Sequence, residues 1–314
     1  MRFYSLQAAA KINLYLEIIG DRPDGFHELV MIMQSVALAD RLTVRTIGVD
    51  DIRVRCNHPQ VPADETNLAY RAAALLAQEF PTQIAKFGGV EIVIEKNIPI
   101  GAGLAGGSTN AAAVLVGLDL LWQLGLTQLE LQDLGAKLGS DVPFCIMGGT
   151  AIATGRGEEL DTLRGLDQLH VVLAKYQSLA VSTPWAYQTY RQQFGDRYLN
   201  DPQRRRERQQ RIHSGAMVAA ISHHDYATVG QELCNDFENV VLPAYPQVAQ
   251  LKETMASLGG LGTLMSGSGP TVFTLVETAA QAAEMATRLR QAIPDEDLGI
   301  WPTQLTSTSI QLEP

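Results

Sequence analysis

Only three cysteines occur, Cys56, Cys145 and Cys234, widely spaced and with no C-x-x-C pair. So few, and odd in number, they exclude a disulfide framework and a cysteine-rich zinc site, and they fit a reducing compartment. Long apolar runs are missing too. The nearest, the Ala-rich stretch after Asn110, is interrupted by Gly117 and Asp119, short of the roughly 18 uninterrupted apolar residues of a membrane helix. The opening MRFYSLQAAAKINLYLE lacks the apolar core and cleavage pattern of a signal peptide, so a soluble cytoplasmic protein is expected. Positive charge is in deficit: 24 Lys+Arg against 34 Asp+Glu leave −10 with His neutral. Duplex nucleic acid, which needs a broad basic surface, is therefore not an expected partner. What is present, 46% hydrophobic and 18% charged residues over 314 positions, describes a globular chain of about two domains.

Ile12, Leu14, Leu16 and Ile18 alternate with Asn13, Tyr15, Glu17 and Ile19, the period of a strand with one buried face. After the Arg22-Pro-Asp-Gly25 turn, residues 29–38, 41–47 and 51–56 read as further strands. Residues 67–80 read as a helix capped by Thr66 or Asn67, 90–98 as a strand and 108–124 as a central, buried helix, followed by a helix at 127–138 and a strand at 150–154. A boundary falls near Gly165. Beyond it come a strand at 170–176, helices at 184–194 (started by Ser182 or Thr183) and 245–258, a strand at 271–276 and a helix at 278–292. Residues 191–211 hold seven Arg against three acidic residues and read as a solvated loop or helix face.

The densest chemical signal is Pro99-Ile-Gly-Ala-Gly-Leu-Ala-Gly-Gly-Ser-Thr109, four glycines in seven residues between a predicted strand and a predicted helix. Glycines let backbone N–H groups approach phosphate oxygens, the helix N-terminus adds unpaired donors, and Ser108 adds a hydroxyl. The spacing satisfies G-x-G-x-x-G, but a dinucleotide fingerprint requires a βαβ unit, whereas here one helix runs into another. No lysine follows the glycines, so a P-loop is excluded as well. His223-His224-Asp225 lacks a third ligand at useful spacing and is read as a helix end, so no protein-bound metal is assigned. Asp119 is read as a buried structural carboxylate.

Lys11 and Asn13 in A-K-I-N-L precede the loop, and a second Gly/Ser-rich segment, residues 259–273, follows it. Taken in order, A-K-I-N-L, D-G-F-H-E-L, P-I-G-A-G-L-A-G-G-S-T-N, G-S-D-V-P-F and S-G-S-G-P-T-V-F resemble the GHMP kinases, named for galactokinase, homoserine kinase, mevalonate kinase and phosphomevalonate kinase. The resemblance spans nearly the whole chain. It implies an α+β fold of two domains, residues 1–165 like the second domain of ribosomal protein S5 and 166–314 a ferredoxin-like sandwich. It also implies ATP-dependent phosphorylation of a hydroxyl on a small molecule.

By the same resemblance Pro99, Ile100, Gly101, Ala102, Gly103, Leu104, Ala105, Gly106, Gly107, Ser108 and Thr109 cradle the ATP phosphates, and Asn67 and Lys96 lie near the adenine or ribose. Asp141 matches the catalytic base and Lys11 its partner. On composition alone Asp141 reads first as the cap of a helix begun at Val142-Pro143, and Lys11 as a surface lysine; the family pattern reverses both. Phe26 and His27 match the place where one branch of the family grips a cytosine, with Phe26 where relatives often carry Tyr; Asn13 would help fix the substrate. A second aromatic is expected from Tyr187, with Trp185 and Tyr176 as alternatives. Mg2+ would arrive with ATP. The rival readings are another GHMP kinase, a non-catalytic sensor of the same fold and an RNA-binding module.

Overall fold

The computed structural model describes residues 2–313. It opens with two long antiparallel strands, β1 (Phe3–Asp21) and β2 (His27–Thr46), then β3 (Ile52–Cys56), α1 (Leu68–Glu79), α2 (Pro81–Phe87), β4 (Val90–Glu95), α3 (Gly106–Trp122), α4 (Gln128–Leu138), α5 (Val142–Met147), β5 (Thr150–Thr154) and β6 (Glu159–Thr162). There follow β7 (His170–Tyr176), α6 (Thr183–Phe194), a 3-10 turn (Gly195–Arg197), α7 (Pro202–His213), α8 (Ala216–His223), α9 (Tyr226–Gln231), β8 (Cys234–Asn235), α10 (Glu238–Ala244), α11 (Pro246–Ser257), β9 (Gly262–Met265), β10 (Val272–Val276), α12 (Ala279–Ala292), β11 (Leu298–Gln304) and β12 (Ile310–Leu312).

Two sheets result. The first runs β12-β1-β2-β4-β3, with β5 on β2, β6 on β5 and β8 on β1; the second runs β11-β7-β10-β9. In chain order the second sheet reads 4-1-3-2, the order of a ferredoxin-like sandwich. The expected division near residue 165 falls between β6 and β7, while β8 and β12 return to the first sheet.

Several sequence expectations need correction. Residues 29–38 and 41–47 form one strand, because the shift between Ala9/Ala39 and Ala10/Val36 absorbs residues 37–38 as an irregularity. The alternation at 12–18 marks β1 correctly, but Ala8 through Leu14 is buried on both faces, one against α3 and one against the second unit. Helix α2 has no counterpart in the sequence reading, whereas residues 202–213, within the stretch read as a solvated loop or helix face, are a helix. Asp119 is half-buried rather than buried; its carboxylate accepts from the Leu126 N–H and ties α3 to the following loop.

Local signals account for most element ends. Thr127 and Glu130 form a capping box on α4, as do Thr278 and Gln281 on α12. Helix α3 is buried almost all round; Gly117 lets it close on Leu6 and Val44. Ile12, Leu14 and Ile32 of the first sheet share a core with Val171, Leu173 and Phe273 of the second, while Leu16 and Met31 share another with Val172, Phe237 and Leu251. The two units therefore meet through continuous apolar packing, and the cleft between them has firm walls.

Candidate active site

A cavity of about 1010 Å³ lies along that cleft. Every expected phosphate-loop residue from Pro99 to Ser108 lines it. Thr109 does not: it is buried inside α3, a position further along the helix, and is not brought to the site. Gly101 and Gly103 take positive φ, and so does Ala105 at φ 56, where it is the N-cap of α3. No side chain caps this helix, so the N–H groups of its first turn are left for a ligand on the cavity wall.

The loop is held from below by Asp40, which sequence reasoning missed. Its fully buried carboxylate accepts from the backbone N–H groups of Asn97 and Ile98 at 2.8 Å each and from Asn110 Nδ2 at 2.8 Å, and it pairs with Lys96. Strand β2, the end of β4 and helix α3 are thus joined at one oxygen pair. A lone Asp amid apolar strand residues, and a lone Asn on an apolar helix, were the available signals.

From above, the second glycine loop closes on the first. Ser266 donates to the Gly103 carbonyl at 3.1 Å, and Asn235 Nδ2 donates to the carbonyls of Met265 at 2.7 Å and Gly267 at 2.8 Å. Ser268 and Thr183 share a hydrogen bond of 2.7 Å where both line the cavity.

Lys11 and Asp141 come together beside this loop, 3.5 Å apart, the lysine nearly buried and the carboxylate about one-third exposed. Lys11 Nζ also donates to Asn13 Oδ1 at 2.7 Å, and its backbone N–H donates to the Leu104 carbonyl at 3.2 Å. Asp141 occupies the N-cap position of α5 but makes no capping bond. Its oxygens face the cavity and Lys11, so geometry does not favour the capping alternative. An ammonium beside a carboxylate that retains an open lone pair is an arrangement able to take a proton and steady nearby negative charge.

At the other end Phe26 is half exposed, with the Arg156 guanidinium 4.8 Å above its ring. His27 is buried and stacked on Tyr187, ring centroids 4.5 Å apart. Burial, and then the Arg191 charge, lower the His27 pKa below its ordinary value, while burial pushes the Tyr187 hydroxyl up. Both are therefore neutral near pH 7. Among the three candidate aromatics Tyr187 lines the cavity; Trp185 packs on Tyr245 and Tyr176 lies in the core. Asn67 and Lys96 also line the cavity, but their polar atoms are engaged: Asn67 caps α1 and donates to the Pro62 carbonyl, and Lys96 is held by Asp40. Elsewhere, His224 ends α8 with φ 55 and its Nδ1 contacts the Tyr226 hydroxyl.

Residues 67–149 match the pattern of the GHMP kinases N terminal domain and residues 217–295 that of the GHMP kinases C terminal domain. The chain belongs to the GHMP kinase family. The N-terminal match contains the phosphate loop and Asp141, whereas Lys11, Asn13, Phe26 and His27 lie before it. A relative from Gloeothece citriformis, named 4-diphosphocytidyl-2-C-methyl-D-erythritol kinase, is 63% identical over 313 residues, covering 100% of this GHMP kinase and 99% of the relative. A solved 4-(cytidine 5'-diphospho)-2C-methyl-D-erythritol kinase superposes with TM-score 0.74 at 32% identity, covering 96% of this chain and 98% of that one. Homoserine kinase from Cytophaga hutchinsonii superposes equally well, TM-score 0.75 over 100% and 98% of the two chains, but at 17% identity, which speaks for the shared fold alone. No described helix is long and apolar enough to cross a membrane.

Proposed function

We propose that this GHMP kinase transfers the γ-phosphoryl group of ATP to the C2 hydroxyl of 4-(cytidine 5'-diphospho)-2-C-methyl-D-erythritol, giving the 2-phosphate and ADP in the non-mevalonate route to isoprenoid precursors. One observation carries the reading: the aromatic side chains of Phe26, His27 and Tyr187 line the same cavity as the glycine loop and the Lys11–Asp141 pair, which suits a substrate with a flat base at one end and a reacting hydroxyl at the other. A kinase for mevalonate or homoserine has no nucleobase to stack. The names of the 63% and 32% identical relatives point the same way.

Phosphoryl transfer asks the protein chiefly to align a hydroxyl with the γ-phosphate and to stabilise spread negative charge. The N–H groups at the start of α3 bind phosphate oxygens. Asp141 accepts the hydroxyl proton as the oxygen–phosphorus bond forms and the bond to ADP breaks. Lys11, steadied by Asn13, keeps the carboxylate oriented and offsets charge on the reacting oxygen. Asn67 and Lys96 shape the wall near the nucleoside rather than offering it free polar atoms.

Mg2+ enters with ATP. Among the described residues no cluster of three His, Cys, Asp or Glu could hold a metal, and Ser108 offers a hydroxyl in the first turn of α3, so the donor set suits an ion carried on phosphate and water. When bound, the ion would neutralise phosphate charge. Three free cysteines and a net charge of −10 support a reading in which the enzyme works in the reducing cytoplasm on small molecules rather than on nucleic acid.

The test is direct. Incubated with Mg-ATP and a panel of cytidine diphosphate methylerythritol, mevalonate, homoserine and galactose, the protein is expected to add a phosphoryl mass to the first alone. Phosphorylation of any other member instead refutes the assignment.

A further inference from the structure

The base end of the cavity contains an ionic device that the phosphorylation chemistry does not use. His27 Nε2 is buried with no hydrogen-bond partner within normal reach, and the nearest charged oxygen is Asp21 Oδ1 at 3.6 Å. That oxygen is gripped from across the cleft by Arg191, through Nε at 2.9 Å and Nη2 at 2.7 Å. Arg191 Nη2 also reaches the Gly25 carbonyl at 3.5 Å, so one guanidinium fastens both ends of the turn that carries Phe26 and His27. Tyr187 and Tyr198 close the remaining sides of the imidazole, stacked and edge-on.

We propose that Asp21, positioned by Arg191, keeps the single imidazole hydrogen of His27 on Nε2, so that Nδ1 presents only a lone pair to the cavity and selects a base with an exocyclic amine over one with a carbonyl. This rests on the cytidine reading above. A neutral imidazole has one donor and one acceptor nitrogen, and the negative Asp21 oxygen 3.6 Å from Nε2 favours the hydrogen on that nitrogen electrostatically, without a formed hydrogen bond. A carboxylate only accepts. The other nitrogen must then accept too, which pairs with the amino group of cytosine and opposes the O4 carbonyl of uracil.

The groups facing the ring agree. Asp21 comes from β1, Arg191 and Tyr187 from α6, and Tyr198 from beyond the 3-10 turn. Burial first, and then Arg191, disfavour a second proton on His27, with Asp21 opposing. Burial holds the Tyr198 hydroxyl up at about 12 and raises that of Tyr187, so neither contributes charge.

The experiment has two readouts. In ligand-free protein labelled with 15N-histidine, His27 signals, assigned by their loss in His27→Gln, are expected to show one Nε2–H tautomer. Asp21→Leu should give a mixture, and Asp21→Asn, which keeps an acceptor oxygen, should restore the single form. In parallel, the kcat/KM preference for cytidine over uridine forms of the substrate should fall on the order of tenfold in Asp21→Leu, through KM rather than kcat. Arg191→Gln provides a check should Asp21→Leu fold poorly: its preference should decay at a higher pH than the wild type's, because the ring protonates more readily. An unchanged tautomer in Asp21→Leu, or a shifted tautomer with unchanged preference, overturns the proposal. A wild type that uses neither pyrimidine form overturns the cytidine reading itself, and the tautomer result still tells whether Asp21 governs the ring.

Discussion

Gly103→Ala tests whether the two glycine loops form a docked unit, and the structure sets its cost. A Cβ built at Gly103 lies 2.4 Å from the Ser266 carbonyl oxygen and 3.1 Å from two backbone atoms of Gly269, at φ +73. These are backbone contacts, with no flexible side chain to move aside, and non-bonded heavy atoms settle near 3.5 Å, so the loops must part by about 1 Å. The left-handed backbone costs an L-residue about 1 to 2 kcal/mol, overpacking adds about 1 to 3, and loosening the Ser266 bond to the Gly103 carbonyl about 1 more. The total is roughly 3 to 6 kcal/mol, part of it taken from stability and part from ATP binding. Gly125→Ala separates the terms, because Gly125 has φ +71 and nothing within 4 Å of the added Cβ; it should cost about 1 to 2 kcal/mol and leave ATP affinity alone. Urea unfolding gives the first quantity and calorimetric titration the second. Gly103→Ala should weaken ATP at least about tenfold, which is about 1.4 kcal/mol. If Gly103→Ala loses no more stability than Gly125→Ala and binds ATP normally, the close approach of the loops is not what shapes the phosphate site.

Asp141→Asn should fold and bind ATP but lose about 10²- to 10⁴-fold in kcat, with Lys11→Met behaving likewise; steady-state rates near wild type would remove the proton-acceptor role from Asp141. Phe26→Ala and His27→Ala should each raise KM for the cytidine substrate by about 1 to 3 kcal/mol of lost stacking and hydrogen bonding while ATP hydrolysis without substrate changes little, as initial-rate assays will show. Lys96→Met strands the buried Asp40 carboxylate and should cost about 3 kcal/mol in chemical unfolding, and the double variant with Asp40→Asn should lose less than the two single variants summed; a loss equal to that sum would show the pair to be uncoupled. Because burial and Arg191 hold His27 below its ordinary 6.5, the folded chain binds fewer protons than the unfolded one as pH falls. The stability this confers is full above 6.5 and declines as pH drops toward the depressed value. His27→Gln should flatten that portion of a stability–pH curve, and an unchanged slope would remove the burial argument.

What the sequence disclosed and what it hid follow from the range of the interactions. The helix caps Asn67 and Ser182, the glycine clusters and the apolar α3 are local, so they were readable within a few residues of themselves. The Lys11–Asp141 pair joins positions 130 apart and was reached only through the order of motifs along the chain. Helix α7 has no apolar face, and it docks by ion pairs and hydrogen bonds, Arg208 on Glu17 and Gln209 on Glu28, whose partners are nearly two hundred residues away. Nothing in its own sequence announces them. Asp40 was hidden for the opposite reason: at the supposed junction of two strands it read as part of a polar join, and only the continuous β2 buries it under the loop.

That distribution separates general machinery from particular recognition. A solved structure at 17% identity keeps the same backbone course, so the fold is a frame that widely different sequences can build. The Asp40 carboxylate ties this frame from within, where any change leaves a buried charge unpaired. On the proposed reading, substrate choice lies instead at the rim: the turn between β1 and β2 carries Phe26 and His27, and α6 from the second unit supplies Tyr187 and Arg191. His27 meets Tyr187 and Asp21 meets Arg191 across the cleft, so neither unit alone forms a base site. Recognition of the far end of the substrate therefore depends on the closure of the two units on each other, and because the same closure brings Ser266 to Gly103, the geometry that holds the base also holds the phosphate loop in place for transfer.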